Sequence, residues 1–462
     1  MDNFIFLYYN ESAFEGKRGQ GEFMKKRKMT PYLLVLVSFA TIILLGSFLL
    51  SMPWSYKNGS FANYWDALLL STSAVCVTGL TPYANLSQTL SLFGQIVLIL
   101  LVQIGGLGFI TLFTFFLSAL GVKIGAMDRF VLKEALSLEN FASVLKFVKK
   151  VVLYTFVVEG IGILLYLFIF IPKYGVSDGI WISIFHSISS FNNAGFDIVG
   201  DNSLISYAGH IPLNIITMLL IVIGGIGFPV IDDVIHHKPK KWSCYTKIVL
   251  LSTSILIVFG TAALWLAEYH NGMTFLQALF QSVSCRTAGF ATYDMNLLSD
   301  PGRLICEFLM FVGASPLSTG GGIKTTTFFT IILAIFSYMH GKKPVVFQRT
   351  ISQNSITRAM ALIFVACAVI IMGYLGIEII ESSHGVNHAS GKIFFEVFSA
   401  LNTVGYTQSL TPNLFNGSKV ILSLLMFLGR VGPITVLSVF SNALNNEREG
   451  HVRYIEENLV IG

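Results

Sequence analysis

The chain has 462 residues, of which 54% are hydrophobic and 12% are charged, with a formal net charge of +5 and a mean hydropathy of +0.70. Because a soluble domain carries about 25% charged residues, this composition excludes a soluble enzyme or interaction module and indicates a membrane protein with several spans. The five cysteines have no paired or CxxC spacing, so neither a disulfide framework nor a zinc site is expected.

Stretches without charged residues mark the predicted membrane spans. A helix needs about 20 apolar residues to cross a bilayer, and eight segments meet that need. In chain order these segments lie at 33–50, within 67–122, and at 151–171, 211–231, 248–266, 304–339, 359–377 and 420–439. A shorter, semi-polar segment lies between the two members of each pair, so the eight spans form four pairs.

Lysine and arginine cluster on one side of the predicted spans. Twenty-two of the 30 lie in the N-terminal region, the C-terminal tail, or the connections 123–150, 236–247 and 340–358, against five on the other side. The positive-inside rule therefore predicts a multi-pass cell-membrane protein with both termini in the cytoplasm. Residues 1–29 are expected to be a disordered cytoplasmic extension, and residues 445–462 a cytoplasmic tail.

The four semi-polar segments share one pattern, a short amphiphilic stretch followed by a turn that ends in glycine. The turns read Val77-Thr78-Gly79, Asn193-Ala194-Gly195, Thr287-Ala288-Gly289 and Thr403-Val404-Gly405. A second glycine motif follows 24 to 29 residues after each turn, at Gly105, Gly224, Gly313 and Gly429. The repeated unit is therefore span, short helix, glycine turn and span. The predicted repeats are 30–122, 123–235, 236–340 and 341–444.

The repeated unit predicts an architecture. Each unit crosses the membrane an even number of times, so all four have the same orientation and can surround one axis. Non-helical backbone at membrane depth must be buried or line a water-filled cavity. We therefore predict an all-α membrane protein with eight transmembrane helices and four re-entrant pore helices, in four parallel helix–pore–helix repeats around a central pore. The alternative, that the glycines only allow close helix packing, explains the second motif but not the turns outside the spans.

Together the four turns resemble the selectivity filter of the Trk/Ktr/HKT superfamily of potassium transporters, and within it the Ktr-type membrane subunit. Thr403-Val404-Gly405-Tyr406 alone is similar to the filter signature of potassium channels. The resemblance extends from about residue 30 to the C-terminus, and the lack of room for further spans before repeat 1 favours the Ktr type. It implies that the twelve turn residues bind potassium. Gly79 points to potassium, since a serine there accompanies sodium permeation in the family.

The resemblance also implies an assembly. It implies a bacterial protein that forms a homodimer, in which each protomer has its own pore, on a ring of cytoplasmic RCK/KTN (KtrA-like) regulatory subunits. ATP or ADP would bind those subunits, so no cofactor besides the transported potassium is expected on this chain. No nucleic-acid partner is expected, whereas the basic cytoplasmic loops suit docking or anionic lipid headgroups. The resemblance leaves two alternatives open: transport with or without a sodium requirement, and flux as through a channel or coupled to a second ion.

A gate is predicted in repeat 3. Residues 304–340 would form a helix about 55 Å long at 1.5 Å per residue, too long for a bilayer core of about 30 Å. The polar, glycine-rich stretch 313–324 should therefore break the helix beside water, below the filter. In the family the matching segment is an intramembrane loop that obstructs the pore and moves on activation. The predicted gate residues are Gly313, Ala314, Ser315, Pro316, Ser318, Thr319, Gly320, Gly321, Gly322, Lys324 and Arg430.

Several charged residues near the filter and gate have competing interpretations. Arg430, inside the last predicted span, either works with the gate loop or only satisfies loop carbonyls. Lys324 either belongs to the gate or extends to the cytoplasmic face. Arg286 is expected to point behind the filter and support it, with Glu396 as its hypothetical partner. Asp66 is interpreted as the N-cap of the first pore helix.

Other polar residues have less specific interpretations. Asp197 and Asp201 on the outer side either attract cations or are solvated loop acids. His186 is interpreted as a packed core residue rather than a ligand. The pair Asp232-Asp233 is interpreted as marking the end of a span rather than as a catalytic pair.

Two residues depart from the family pattern. Tyr406 stands where many relatives have leucine, and Leu317 replaces a glycine of the gate segment.

The segment 320–325 is not a phosphate-binding loop, since isoleucine precedes Lys324 and no strand comes before it. An intramembrane enzyme would need two intramembrane aspartates or a HExxH helix, so no enzyme is expected. The alternatives are a sodium-permeable or other cation transporter of the same superfamily, and a secondary transporter of an organic substrate, for which inverted repeats would be expected.

Overall fold

The computed structural model describes residues 31–108, 111, 144–200 and 203–432. The predicted N-terminal extension, the C-terminal tail and Asp201 lie outside the described residues. In chain order the helices are α1 (Pro31–Ser51), α2 (Tyr64–Val75), α3 (Leu86–Thr89), α4 (Leu92–Leu107), α5 (Val144–Tyr174), α6 (Val176–Phe191), α7 (Ile211–Ile226), α8 (Phe228–His236), α9 (Cys244–Glu268), α10 (Phe275–Ser284), α11 (Asp300–Phe311), α12 (Thr325–Met339), α13 (Gln353–Ser383), α14 (Ser390–Leu401) and α15 (Asn416–Val431).

The helices follow the predicted order of long helix, short helix and second helix in each repeat. Among the described residues, α1, α5, α9 and α13 are long and apolar enough to cross a membrane alone. The short helices α2, α6, α10 and α14 carry the glycine turns at their C-terminal ends. A two-residue antiparallel pair, β1 (Val345–Val346) and β2 (Arg349–Thr350), lies between α12 and α13.

The second helix of every repeat ends at or near its second glycine motif, whereas the sequence analysis expected a helix break only in repeat 3. Helix α4 ends before Gly108, α7 before Gly227 and α15 before Gly432, with glycine φ angles of +78°, +93° and +93°. Left-handed glycine ends a helix at little steric cost. The axes of α7 and α8 differ by 98°, so the segment predicted as a span over 211–231 is not one straight helix.

One packing contact recurs in the repeats and places the short helices. A glycine of the long helix lies against a leucine of the second helix, and in three repeats also against a serine of the short helix. The sets are Gly46 with Ser71 and Leu101, Gly162 with Ser187 and Leu220, Gly260 with Ser282 and Leu309, and Gly373 with Leu425. The three serine hydroxyls donate to the carbonyls of Ile43, Glu159 and Ile257, over 2.8, 2.8 and 2.9 Å.

The start of α2 corrects one expectation. Its N-cap is Asn63, whose side-chain oxygen accepts from the Trp65 amide at 3.1 Å. Asp66 lies in the first turn, where its carboxylate pairs with the ammonium of Lys419 at 2.6 Å. Asp66 is therefore not the N-cap, and its partner lies in repeat 4.

Candidate filter and gate

Each short helix is followed directly by a glycine turn with unusual backbone geometry. We call these turn 1 (77–79), turn 2 (193–195), turn 3 (287–289) and turn 4 (403–405). The glycines have φ angles of +97°, +70°, +76° and +97°, and the first residues Val77, Asn193, Thr287 and Thr403 have +56°, +57°, +72° and +49°. Non-glycine residues rarely adopt positive φ, so its recurrence at four equivalent places indicates backbone held by its surroundings.

The four turns form a closed ring. A Cβ atom built on each glycine would clash with the carbonyl oxygen of the middle residue in the next turn. The pairs are Gly79 with Ala194, Gly195 with Ala288, Gly289 with Val404 and Gly405 with Thr78. The turns therefore follow each other in chain order around one axis, and turn 4 contacts turn 1. Any side chain at these glycines would displace a neighbouring carbonyl.

The short helices add to the electrostatics of this ring. All four end immediately before a turn, so their C-terminal ends lie next to the ring. The carbonyl end of a helix carries a partial negative charge. Backbone oxygens and four helix C-termini around one centre favour a cation there.

A serine of each short helix supports its turn, a feature that the sequence analysis did not single out. Ser73 and Ser399 accept hydrogen bonds from the Gly79 and Gly405 amides, both at 3.0 Å. In the other two repeats the hydroxyl donates to the carbonyl after the glycine, Ser189 to Phe196 at 2.6 Å and Ser284 to Phe290 at 2.7 Å. The sequence signal was available, since each serine precedes its glycine by five or six residues.

Tyr406, one of the two departures from the family pattern, connects turns 3 and 4. Its side chain is 1% exposed. The hydroxyl donates to the Phe290 carbonyl at 3.0 Å and contacts the side-chain amide of Gln281. Because Phe290 follows Gly289 directly, the tyrosine holds two neighbouring turns together.

The gate segment 313–324 lies against one face of the ring. A Cβ atom on Gly320 would clash with the hydroxyl of Thr287, and one on Gly321 with the hydroxyl of Thr403. These threonines are the first residues of turns 3 and 4. The segment therefore lies beside the N-terminal ends of turns 3 and 4.

Backbone hydrogen bonds join the gate segment to the break between α7 and α8. The amides of Ser315 and Thr319 donate to the carbonyls of Gly225 and Gly224, at 3.0 and 3.2 Å. The amide of Phe228 donates to the Leu317 carbonyl at 3.0 Å. The interruption at Gly227 frees the backbone groups that these bonds use.

Two partly buried basic side chains hold the gate segment through its carbonyls. Lys324 donates to the carbonyls of Gly320 and Gly321, at 2.9 and 3.3 Å. It folds back onto its own segment instead of extending to the membrane face. The guanidinium of Arg430 donates to the Thr319 carbonyl and to those of Gly105 and Gly106 at the C-terminal end of α4. Arg430 thus connects repeats 1, 3 and 4.

Arg286 and Glu396 do not pair. No ion pair joins them among the described residues, so that part of the sequence hypothesis is wrong. Glu396 instead accepts from the Thr407 hydroxyl at 2.8 Å and from the Thr411 amide at 3.0 Å. These bonds hold the loop after turn 4. Arg286 is 6% exposed, and its Nε has no hydrogen-bond partner.

The opposite face of the ring opens into a cavity of about 240 Å³, which we call the vestibule. It is lined by the four turn glycines and the residues that follow them, including the carboxylates of Asp197 and Asp294. Asp197 lies in the α6–α7 loop, outside the spanning helices, and burial raises the pKa of its carboxyl to about 6. A cation approaching the ring from this side meets two acidic side chains.

Other sequence interpretations concern residues away from the ring. His186 is fully buried and packs edge-on against Phe290, which confirms that it is a core residue. Asp232 accepts from the ammonium of Lys150 at 2.6 Å, near the end of α8 at His236. The aspartate pair therefore lies within α8 and does not end it, contrary to the expectation.

A closed ring of left-handed glycine turns, with a polar loop on one face and an acidic vestibule on the other, defines a cation-conducting membrane protein. The family model TrkH, described as a cation transport protein, matches residues 17–254 and 242–449. The chain belongs to this family of cation transport proteins.

Relatives of known name agree with this assignment. The chain is 38% identical to the potassium/sodium uptake protein NtpJ of Enterococcus hirae, over 95% of this chain and 99% of the relative. It is 35% identical to the Ktr system potassium uptake protein B of Bacillus subtilis, over 94% of this chain and 97% of that protein. The crystal structure of the potassium transporter TrkH from Vibrio parahaemolyticus superposes with a TM-score of 0.70, covering 92% of this chain and 88% of the other at 18% identity. The fold is therefore shared with TrkH.

Proposed function

We propose that this protein takes up potassium as the ion-conducting membrane subunit of a Ktr-type system in the cell membrane. The closed ring of four glycine turns carries the proposal, because it surrounds a central site with backbone carbonyls and helix C-termini. The named uptake proteins that resemble the chain over almost its whole length support potassium as the ion.

The selectivity filter in this proposal consists of turns 1 to 4. Carbonyl oxygens of successive residues replace the hydration shell of a dehydrated potassium ion. The middle residue of each turn contacts the glycine of the turn before it, so the spacing of the ring depends on four glycines without side chains. The proposed ion-binding residues are Val77, Thr78, Gly79, Asn193, Ala194, Gly195, Thr287, Ala288, Gly289, Thr403, Val404 and Gly405.

The proposed topology has eight membrane crossings and four re-entrant short helices. Four long helices supply the first crossing of each repeat, and the segments that contain the second helices supply the other four. In repeat 3, α11 and α12 have 12 and 15 residues, each too short to cross a core of about 30 Å. Together with the gate segment they complete one crossing. An even number of crossings and the distribution of lysine and arginine support cytoplasmic termini.

The gate in this proposal is the segment 313–324 together with Arg430. The segment lies against turns 3 and 4, so an ion leaving the ring on that side meets it. Opening requires the Arg430 and Lys324 contacts to be exchanged for others, which a partner on the cytoplasmic face would drive. The name of the Bacillus subtilis relative, a "Ktr system" protein, supports a second component. We propose a homodimer on an RCK-type ring that binds ATP or ADP.

A sodium-permeable transporter is the second candidate. The Enterococcus hirae relative is named for potassium and sodium uptake. Gly79 favours potassium, because a serine there would place its Cβ 2.6 Å from the Ala194 carbonyl and change the shape of the ring.

The test is rubidium, potassium and sodium uptake in potassium-transport-deficient cells that co-express an RCK partner. We expect wild type to take up rubidium and potassium in preference to sodium, and Gly79→Ser to lose that preference. Gly59→Ser is the matched control, since Gly59 also has a left-handed φ of +64° but no atom within 4 Å of a Cβ. Absence of uptake by inserted, partner-bound wild type would contradict the potassium assignment. Preferential sodium uptake by wild type would favour the second candidate.

A further inference from the structure

A buried carboxylate lies behind turn 2, in the middle of α5. Glu159 is 3% exposed, and among the described residues no ion pair includes it. Its Oε1 accepts from the Asn192 amide nitrogen at 2.9 Å, and its Oε2 from the Gln103 amide nitrogen at 3.2 Å. The Asn192 nitrogen also donates to the Gln103 oxygen at 3.1 Å. Three helices, α4, α5 and α6, thus meet through three polar side chains.

The cluster adjoins both the filter and the gate. Asn192 is the C-cap of α6 and immediately precedes Asn193, the first residue of turn 2. Gln103 precedes Gly105 by two residues, and the Gly105 carbonyl accepts from Arg430. Glu159 therefore fixes Asn192, the residue just before turn 2, although α5 itself does not enter the ring.

Comparison of the four repeats shows that packing does not require a carboxylate at this place. Glu159 precedes Gly162 by three residues, and its carbonyl accepts from a serine of the short helix. Ile43 and Ile257 make the same contact in repeats 1 and 3. In repeat 4, Ile370 precedes the packing glycine Gly373 by three residues. Three repeats thus place isoleucine where repeat 2 places an ionisable group, which is costly inside a membrane.

Gln103 departs from the repeat pattern in the same way. It precedes the first glycine of its motif by two residues, where the other repeats have Val222, Phe311 and Phe427. The two polar exceptions lie in adjacent helices and contact each other and Asn192. Their joint presence on one side of the ring indicates a role particular to turn 2.

We propose that Glu159 is a positioning residue of the filter, which sets the discrimination between potassium and sodium through Asn192 and turn 2. This inference rests on the proposed function. A carboxylate offers an acceptor oxygen to each of two amide donors, which fixes the orientation of the Asn192 side chain. Selectivity depends on how firmly the ring keeps its carbonyls at the spacing suited to the larger ion. Loosening turn 2 would let the ring adapt to sodium.

The experiment compares Glu159→Gln and Glu159→Ile with wild type in proteoliposome flux of rubidium and sodium. Glutamine has a single acceptor oxygen and turns its own amide group toward a donor. We expect it to lower the rubidium-to-sodium flux ratio roughly three- to tenfold, the effect of one buried hydrogen bond. Isoleucine, the residue of the other repeats, should preserve packing and protein yield while lowering the ratio at least as much.

Two further variants make the result decisive. Gln103→Val introduces the valine that repeat 2 has at the equivalent position, and it should also lower the rubidium-to-sodium flux ratio. The combined effect of Gln103→Val and Glu159→Ile should be smaller than the sum of the two single effects, because both act on one cluster. Glu378→Gln is the control. Glu378 also lies in a spanning helix, α13, but none of the described hydrogen bonds joins its carboxylate to a glycine turn. Unchanged ratios in folded Glu159→Ile and Gln103→Val would overturn the inference. If wild type itself shows no rubidium flux, the result would instead count against the proposed function.

Discussion

Leu317 shows how a single residue can bias the gate segment. Its φ of +56° is left-handed, a conformation that costs an L-residue other than glycine roughly 1–2 kcal/mol. The glycine that the family resemblance leads one to expect would carry no such cost. The observed conformation of the segment is therefore less stable with leucine than it would be with glycine.

We expect Leu317→Gly to stabilise this conformation of the gate segment by about 1 kcal/mol. Uptake measured without the RCK partner should then fall up to roughly fivefold. Leu317→Ala is the control, because alanine removes the side chain but retains the left-handed cost. Equal basal uptake in the glycine and alanine variants would show that backbone strain has no part in gating.

Tyr406 allows a test of the contact between turns 3 and 4. Tyr406→Phe removes the hydroxyl that donates to the Phe290 carbonyl, a loss of about 1 kcal/mol for a buried hydrogen bond. We expect a lower rubidium-to-sodium uptake ratio at normal protein yield. Tyr166→Phe is the matched control, since that fully buried hydroxyl bonds Thr217 at 2.7 Å and no turn. A ratio that changes equally in both variants would point to general destabilisation.

Asp197 predicts a pH dependence of uptake from the vestibule side. Burial raises the pKa of this carboxyl to about 6, so it is charged at pH 7.5 and mostly neutral at pH 5. The negative charge that attracts cations is lost as the pH falls through 6, and uptake at low potassium should fall with it. Asp197→Asn should flatten this pH profile and resemble wild type at pH 5. A wild-type profile that persists in the variant would assign the titration to another group.

Among the elements, the C-terminal ends of α4 and α7 explain how the gate segment is held in place. Helices α4 and α7 end before Gly108 and Gly227, so carbonyl groups near these ends are free to accept hydrogen bonds from outside the helix. The gate segment uses those next to Gly227, and Arg430 uses the carbonyls near the end of α4. The segment is thus held by hydrogen bonds that other groups, including water, can replace.

Helix α9 also holds the gate segment. The Tyr245 hydroxyl donates to the Pro316 carbonyl at 2.8 Å. We expect Tyr245→Phe to weaken the closed arrangement and to raise partner-independent rubidium uptake roughly two- to tenfold. Tyr338→Phe, at an exposed position on α12, should leave it unchanged. Reduced uptake in Tyr245→Phe would mean that this contact holds the open arrangement.

On the scale of the whole molecule, the ring closes where repeat 4 meets repeat 1. Three contacts join these repeats: Asp66 with Lys419, turn 4 with turn 1, and Arg430 with the end of α4. These partners are more than 320 positions apart in the chain. Because no short connection joins these two repeats, the contacts alone set their spacing.

The Asp66–Lys419 ion pair tests this closure. Both side chains are largely buried, at 18% and 8% exposure, and removing one member of a buried pair costs about 3–5 kcal/mol. We expect Asp66→Asn and Lys419→Met each to lower the thermal unfolding temperature and the rubidium uptake. The exchange Asp66→Lys with Lys419→Asp should recover part of both. If the exchanged variant is inserted like wild type but recovers neither the unfolding temperature nor the rubidium uptake, the surroundings accept only one orientation of the ion pair.

Much of the fold was predictable from residue types and spacing. Eight apolar segments, four glycine turns and the gate segment each depend on local rules: a bilayer of fixed thickness, and a backbone that needs glycine wherever φ is left-handed without space for a side chain. The four repeats made these signals visible, since the same pattern recurs at Gly79, Gly195, Gly289 and Gly405. The family followed from the same residues.

Tertiary structure alone decided which side chains meet. The sequence could not show that Asp66 pairs with Lys419, that Arg286 and Glu396 remain apart, or that Tyr406 reaches turn 3, because these relations join distant parts of the chain. Hydropathy also could not reveal the break at Gly227, since an apolar helix keeps its composition when its axis turns. Composition and local conformation are read along the chain, whereas contacts depend on how four similar repeats close around one axis.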